Sequence, residues 1–221
     1  MSLLIEPEVR GRFPDLKVLA GRVEGVRVEP SNPELEEFKA EVTERIRGRY
    51  TLESLKDNPT FRAYRDFFWR IKVDPTKNRP ASEALIRRVL RGRPLPRINT
   101  LVDAYNLASM ESEIAVAAFD MERLHGGLRM RFAREGEIFL GIGMKEPKTL
   151  RGGEVVISDG EKLVAIYPYR DAENSKITLK TRDVLLLACG VPGIPEEKLG
   201  RCIDLSIEFI VRFCGGRRVE L

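Results

Sequence analysis

The spacing of apolar residues changes character at the Gly126-Gly127 pair, and that change constrains the fold more than any other feature of the chain. Before it, Leu35, Phe38, Val42 and Ile46, and then Phe61, Tyr64 and Phe68, recur every three to four positions. Such spacing puts them on one side of an α-helix. After it, apolar residues alternate with polar ones in segments 128–132, 137–140, 154–157, 162–166 and 176–179, with glycine-containing turns between, a pattern that predicts strands. Segment 183–188 is a nearly continuous apolar run suited to a central strand. Helical spacing returns after Pro195-Glu196-Glu197, with Leu199, Cys202, Ile203, Ile207, Ile210 and Val211 as the buried stripe and Gly215-Gly216 as the stop. A helix-rich N-terminal half feeding a mixed or antiparallel β-rich C-terminal half, closed by a C-terminal helix, predicts an α+β fold in one continuous domain, 1–221.

Within the first half, 16–20 and 25–28 carry β-forming residues separated by Gly21 and Gly25 and read as strands. Ser31 or Asn32 before Pro33-Glu34 starts a helix that runs to Gly48, and Asn58-Pro59 starts another that reaches Trp69. The aromatic stripe of the second is read as core. A loop stiffened by Pro75 and Pro80 follows, then a helix over 82–90 that stops at Gly92, then a helix after Asn99.

That last helix raises the first functional question. Asn99, Asp103, Asn106 and Met110 share one face, and the other positions are largely Leu, Val and Ala. Buried polar groups need partners, so this stripe either holds neighbouring backbone, with Asn99 as an N-cap, or meets a polar ligand. Spacing alone favours the first reading.

A single histidine, His125, leaves no Ser-His-Asp or Cys-His arrangement and no histidine metal cluster, and its place before Gly126 suits a turn. There is no phosphate loop of the Gly-x-x-x-x-Gly-Lys type. Cys189, Cys202 and Cys214, odd in number and widely spaced, suit buried reduced thiols better than a disulfide frame or a zinc site. An enzyme built from this chain would work with carboxylates, backbone amides and substrate groups, without cofactor or metal. No apolar run is long enough to cross a bilayer and no secretory leader is visible, so a cytoplasmic location is expected. The net charge is only +4, yet positions 62–97 hold eleven Lys and Arg against three Asp and Glu. This basic block reads as the footprint of a polyanion partner, the alternatives being a solvated helix face or ion-pair networks of the kind that resist heat.

The order of motifs brings in a resemblance. Segment 80–90, then Arg97-Ile98-Asn99-Thr100-Leu101-Val102-Asp103-Ala104-Tyr105-Asn106, then Ala118-Phe119-Asp120, Leu124, Arg129, Gly136-Glu137, Asp159 and the stretch from Glu173 to Thr181 resemble, in collinear order, the B3/B4 module of the phenylalanyl-tRNA synthetase β subunit. The match covers about 78–190, and residues 1–74 are similar to the extension found in free-standing B3/B4 proteins. In the synthetase this module edits, hydrolysing the ester between a wrong amino acid and the tRNA 3′ end. The resemblance therefore implies a trans-acting deacylase that binds the aminoacylated 3′ end of tRNA, not a complete tRNA ligase and not a membrane protein. It implies Glu173 as the catalytic-site glutamate, matching a Gly-Gly-Glu-x-Ser loop. It implies substrate contacts from Asn106, from Asn99 and Asp103 on the same face, from Asp171, and from Ser175, Thr178 and Thr181. For Thr178 and Thr181, turn and strand chemistry is an equal reading. Lys77, Arg79, Arg87, Arg88, Arg91, Arg93 and Arg97 would grip tRNA phosphates, with affinity that falls with salt. An aminoacyl ester is labile enough that a positioned water, oxyanion donors and a selective pocket suffice.

Two departures stand out. Ala117 replaces the family's histidine before Ala-Phe-Asp, and Asp171-Ala172 replace the paired glycines before the glutamate. Tyrosine specificity therefore does not transfer, and two rival functions remain: a non-catalytic tRNA- or RNA-binding module, and a pocket protein for a free amino acid.

Overall fold

Strand β10 (Val184–Cys189) is the apolar run expected at a sheet centre, and all six of its residues are buried. It pairs antiparallel with β2 (Val18–Glu24) on one side and β3 (Val116–Asp120) on the other. The computed structural model describes residues 3–220, and within them β11 (Arg217–Val219) completes a four-stranded sheet in the order β11-β2-β10-β3. A five-stranded sheet, β1-β4-β7-β8-β9, is built from β1 (Leu3–Ile5), β4 (Leu128–Phe132), β7 (Val155–Ser158), β8 (Leu163–Ile166) and β9 (Arg170–Asp171). Only β1 runs parallel to its neighbour; the others are antiparallel. A separate ribbon pairs β5 (Glu135–Phe139) with β6 (Lys148–Arg151).

Helix α7 (Glu196–Cys214) lies on β2 and β10 and packs along α6 (Thr100–Ser112). The close approach of α7 depends on Gly21 in β2, where a Cβ would stand 2.7 Å from Ile203 Cγ2. Outside these, α2 (Pro33–Arg49) and α5 (Ala81–Leu90) pack against α6. Between them in sequence, α3 (Ser54–Asp57) and α4 (Pro59–Arg70) bury Leu55, Phe61, Tyr64, Phe67 and Phe68. The short α1 (Pro7–Arg12) contributes Val9 to the same core. Three of the helices open on the same device: Asn32, Asn58 and Asn99 each accept the N–H three residues on, from Leu35, Phe61 and Val102. Each such cap is worth about 1 kcal/mol. Among the described residues no helix is long and apolar enough to cross a membrane.

The α+β class and the closing helix follow the sequence, and three details differ. Of the strands expected at 16–20 and 25–28 only the first forms, as Val18–Glu24, which passes straight through Gly21 and ends before Gly25, where φ is +71°; 25–28 is not a strand. Segment 176–179 is not a strand. Thr181 Oγ1 accepts the Thr178 N–H at 2.9 Å and donates to Asp120 Oδ2 at 2.7 Å, folding the segment into a turn. The stripe of α7 is as expected except that Val211 is only partly covered. The three cysteines are free and buried, and His125 lies in the connection before β4, its carbonyl accepting the Gly160 N–H at 2.6 Å.

Candidate functional site

The polar face of α6 divides between two tasks. Asn99 caps the helix and is buried. Asp103 is buried as well, taking Lys39 Nζ at 2.5 Å and the Ile98 N–H at 3.1 Å, while burial raises its pKa against the pull of Lys39. Lys39 also reaches Glu36 and the Pro96 carbonyl. Asn99 and Asp103 are therefore anchored on protein partners. Asn106, further along α6, faces a cavity of about 150 Å³ instead.

The walls of this cavity are aliphatic, from Val116, Ala117, Ile142, Ile157, Ala165 and Ile166, with Asn106, Arg170 and Asp171 as its polar side chains beside Tyr105, Tyr167 and Tyr169. Strand β9 brings Asp171 in, because its register with β8 sets Asp171 opposite Ala165. One carboxylate oxygen accepts the Ala118 N–H at 3.2 Å, closing the free edge of β3. Burial pushes the Asp171 carboxyl up to about 7, opposed only by that single N–H. A carboxyl that exchanges its proton near neutrality in an apolar cleft can recognise a donor or pass a proton. The phenol of Tyr105 is driven upward by burial and by the charges of Asp171 and Asp103.

Arg170, which the sequence reading did not single out, is part of the lining. Its Nη1 donates to the Ile142 carbonyl at 2.7 Å and its guanidinium sits 5.1 Å from the Tyr169 ring centre. Gly141 makes room for it, since a Cβ there would stand 2.4 Å from Arg170 Cδ. The only signal in the sequence was Arg170's adjacency to Asp171. Next to this cavity lies a larger one of about 640 Å³, which shares Ile166 and Tyr169 with it.

The remaining expected residues lie elsewhere. Glu173 pairs with Lys176, and its N–H donates to the Leu140 carbonyl; its side chain does not line the small cavity. Ser175 is fully buried with its hydroxyl unpartnered, and Thr178 and Thr181 belong to the turn on Asp120. Of the basic block, Arg87 and Arg79 converge with Arg65 on buried Glu83, at 2.7, 3.9 and 3.5 Å. Arg88 donates to the Pro94 carbonyl and Arg97 to Glu36. Lys77 is exposed beside Asp74, and Arg91 and Arg93 project from the end of α5. Two of the three acids in this region, Asp74 and Glu83, are thus drawn into ion pairs that composition did not reveal. Among the described residues no group of three or more His, Cys, Asp or Glu side chains could hold a metal ion.

The comparisons with known proteins bear on the family and the fold. Residues 63–215 match the protein-family model described as B3/4 domain, a wider span than the 78–190 seen by motif. The phenylalanine–tRNA ligase β subunit of Pseudomonas fluorescens is 34% identical over 120 residues, 54% of this chain and 15% of that protein. That of Pseudomonas savastanoi is 33% identical over 144 residues, 65% and 18%, and that of Thermotoga maritima 32% over 117 residues, 52% and 15%. The chain thus spans less than a fifth of the length of these relatives. In fold it is similar to an N-terminal fragment of the phenylalanyl-tRNA synthetase β subunit from Pyrococcus horikoshii, with a TM-score of 0.53 at 13% identity, covering 98% of this chain and 50% of that one. With the family match extending over well more than half its residues, the chain belongs to the B3/4 domain family.

Proposed function

We propose that this protein hydrolyses the ester of mischarged tRNA, acting in trans on the aminoacylated 3′ end. The observation that carries the reading is that both departures from the family pattern, Ala117 and Asp171, line one cavity of about 150 Å³. A cavity of about this size holds a benzene ring, which is the scale of one amino-acid side chain. Substitutions at two distant points of the sequence that meet in a side-chain-sized pocket are what a change of amino-acid preference requires. Asp171 and Asn106 recognise the wrong amino acid's polar group, and the aliphatic wall excludes water from the rest. The first turn of α5, which begins without a side-chain cap and places Ala81 on the cavity wall, offers backbone N–H groups to the developing oxyanion. Glu173, which pairs with Lys176 outside this cavity, takes no part in its lining, and the exposed arginines of 77–97 together with Lys77 hold RNA phosphates.

The test is a panel of correctly and incorrectly charged tRNAs incubated with the protein, following loss of the ester. Selective deacylation of one mischarged species supports the reading. Asp171→Asn is then expected to cut turnover by about tenfold to a hundredfold, the worth of one charge-assisted hydrogen bond. Tight, salt-sensitive tRNA binding with no deacylation would replace it with a non-catalytic binding module, a reading that the loss of the histidine at Ala117 favours.

A further inference from the structure

Arg170 brings to the side-chain pocket a charge that the protein leaves uncompensated. Among the described residues no carboxylate oxygen lies within 4.0 Å of its nitrogens. Its Nη1 donates to the Ile142 carbonyl at 2.7 Å, its Nη2 finds no acceptor among the described residues, and its Nε is buried without one. A guanidinium so placed costs free energy and calls for a functional reason. Asp171, the next residue, does not neutralise it: burial opposed by the Ala118 N–H sets the state of that carboxyl, with no pull from the guanidinium. The guanidinium is also held still. It stacks on Tyr169, its Cγ and Cδ fill the space that Gly141 leaves, and the Ile142 N–H ties its anchor to the Asp171 carbonyl at 2.9 Å. A fixed, unpaired cation at an apolar wall is a site for negative charge.

We infer that Arg170 is a catalytic residue, its guanidinium holding the oxyanion that forms at the ester carbonyl. This rests on the proposed function, which otherwise offers that oxygen only the neutral N–H groups of the first turn of α5. Water adds to the carbonyl carbon and the C=O π pair moves onto the carbonyl oxygen. When the tetrahedral species collapses, the C=O bond re-forms and the bond to the ribose oxygen breaks. The ribose oxygen takes one proton of the water, the other passes to solvent, and the amino acid leaves as a carboxylate. Negative charge is greatest on the carbonyl oxygen between these two events, and a cation already in place answers it without reorganisation. Arg170 and Asp171 then divide the amino acid between them. The guanidinium faces the carbonyl, and the carboxyl faces the amine or another donor.

The experiment has a kinetic arm and a binding arm. In the first, Arg170→Met is expected to lower kcat for the mischarged tRNA by about a hundredfold to a thousandfold, the worth of one oxyanion donor, with KM little changed. Arg170→Ala should lose as much and recover in a saturable way when methylguanidinium is added, which a merely structural loss would not do. A fall in tRNA affinity with kcat kept would make Arg170 an RNA contact and overturn the assignment, as would an unchanged kcat or a loss without rescue. In the second arm the protein is titrated calorimetrically, without tRNA, with the α-aminophosphonates of alanine, valine and phenylalanine and with the amides of the same amino acids. The phosphonate, a tetrahedral anion, should bind about tenfold or more tightly than its amide, and Arg170→Met should erase that preference. No preference, or no phosphonate binding at millimolar concentration, overturns the assignment. Deacylation by a protein indifferent to Arg170→Met would leave the proposed function standing without it. Arginine-dependent phosphonate binding without deacylation would do the reverse.

Discussion

Asp171→Asn should stabilise the protein at alkaline pH and leave it unchanged at acid pH. In the folded chain the carboxyl titrates at about 7, against an ordinary value of 3.8. Below 3.8 both folded and unfolded chains hold the proton and the carboxyl is neutral in each. Between 3.8 and about 7 the unfolded chain loses the proton while the folded chain keeps it, so stability falls as pH rises, and above 7 the full cost is present. The difference of 3.2 between the two values corresponds to an upper bound of about 4 kcal/mol, at 1.36 kcal/mol for each unit. Asp171 is only partly covered as a whole residue and borders the cavity opening, so about 2 kcal/mol is the working figure. For a chain of this length that is about 4–8 °C in Tm. Asparagine keeps the carbonyl that accepts the Ala118 N–H, so the substitution removes the charge and little else. The assay is thermal unfolding of both proteins from pH 4 to 8.5, read as the difference in Tm at each pH. Carboxylates held low by their partners, such as Glu137 and Asp159, destabilise both proteins equally in acid and cancel in that difference. A difference that does not change with pH, or a variant less stable than wild type at pH 8, would refute the argument.

Lys39→Met should cost about 3–5 kcal/mol in urea unfolding at pH 7, because it leaves Asp103 buried without its cation. A loss under 1 kcal/mol would show that Asp103 has another route to compensation. Gly21→Ala should cost about 1–3 kcal/mol, since Ile203 Cγ2 is attached directly at the branch and α7 must move to accept it. Ala117→His should fold normally and move the preferred substrate or ligand towards smaller side chains, read by a competition panel; an unchanged preference would place Ala117 outside the selective wall.

How much of this was legible depends on whether a residue's task is local. The three asparagine caps, the stripe of α7 and the central β10 were readable because local spacing and a continuous apolar run carry their own signal. Strand β3 was not anticipated. Its Val-Ala-Ala-Phe-Asp is almost wholly buried, so alternation is absent, and β10 and Asp171 supply its partners from far along the chain. Segment 176–179 alternates like a strand, but Thr181 and Asp120, sixty-one positions apart, bend it into a turn. The basic block was visible as composition, whereas the convergence of Arg65, Arg79 and Arg87 on one buried glutamate is a property of the folded helices α4 and α5. Asp171 was visible only as a departure from a resemblance, and its meaning came from the cavity it shares with Ala117.

That pairing has a chemical consequence. The family's histidine would have stood on β3 at the position of Ala117, and an imidazole titrates near 6.5, becoming a cation in acid. Here the titrating group has moved to the facing strand β9, and it is a carboxyl at about 7, which becomes an anion in base. The window of pH is nearly the same and the sign of charge is reversed. Where the histidine pocket passes from positive to neutral as pH rises, this one passes from neutral to negative. Its preference for a side chain that donates a hydrogen bond or carries positive charge should therefore increase between pH 6 and 8, measured as the ratio of deacylation rates, or of binding constants, for a donor-bearing amino acid against its apolar isostere. Asp171→Asn should abolish that pH dependence while leaving the apolar isostere unaffected. A ratio that stays flat across this range in the wild-type protein would remove Asp171 from the recognition of the amino acid.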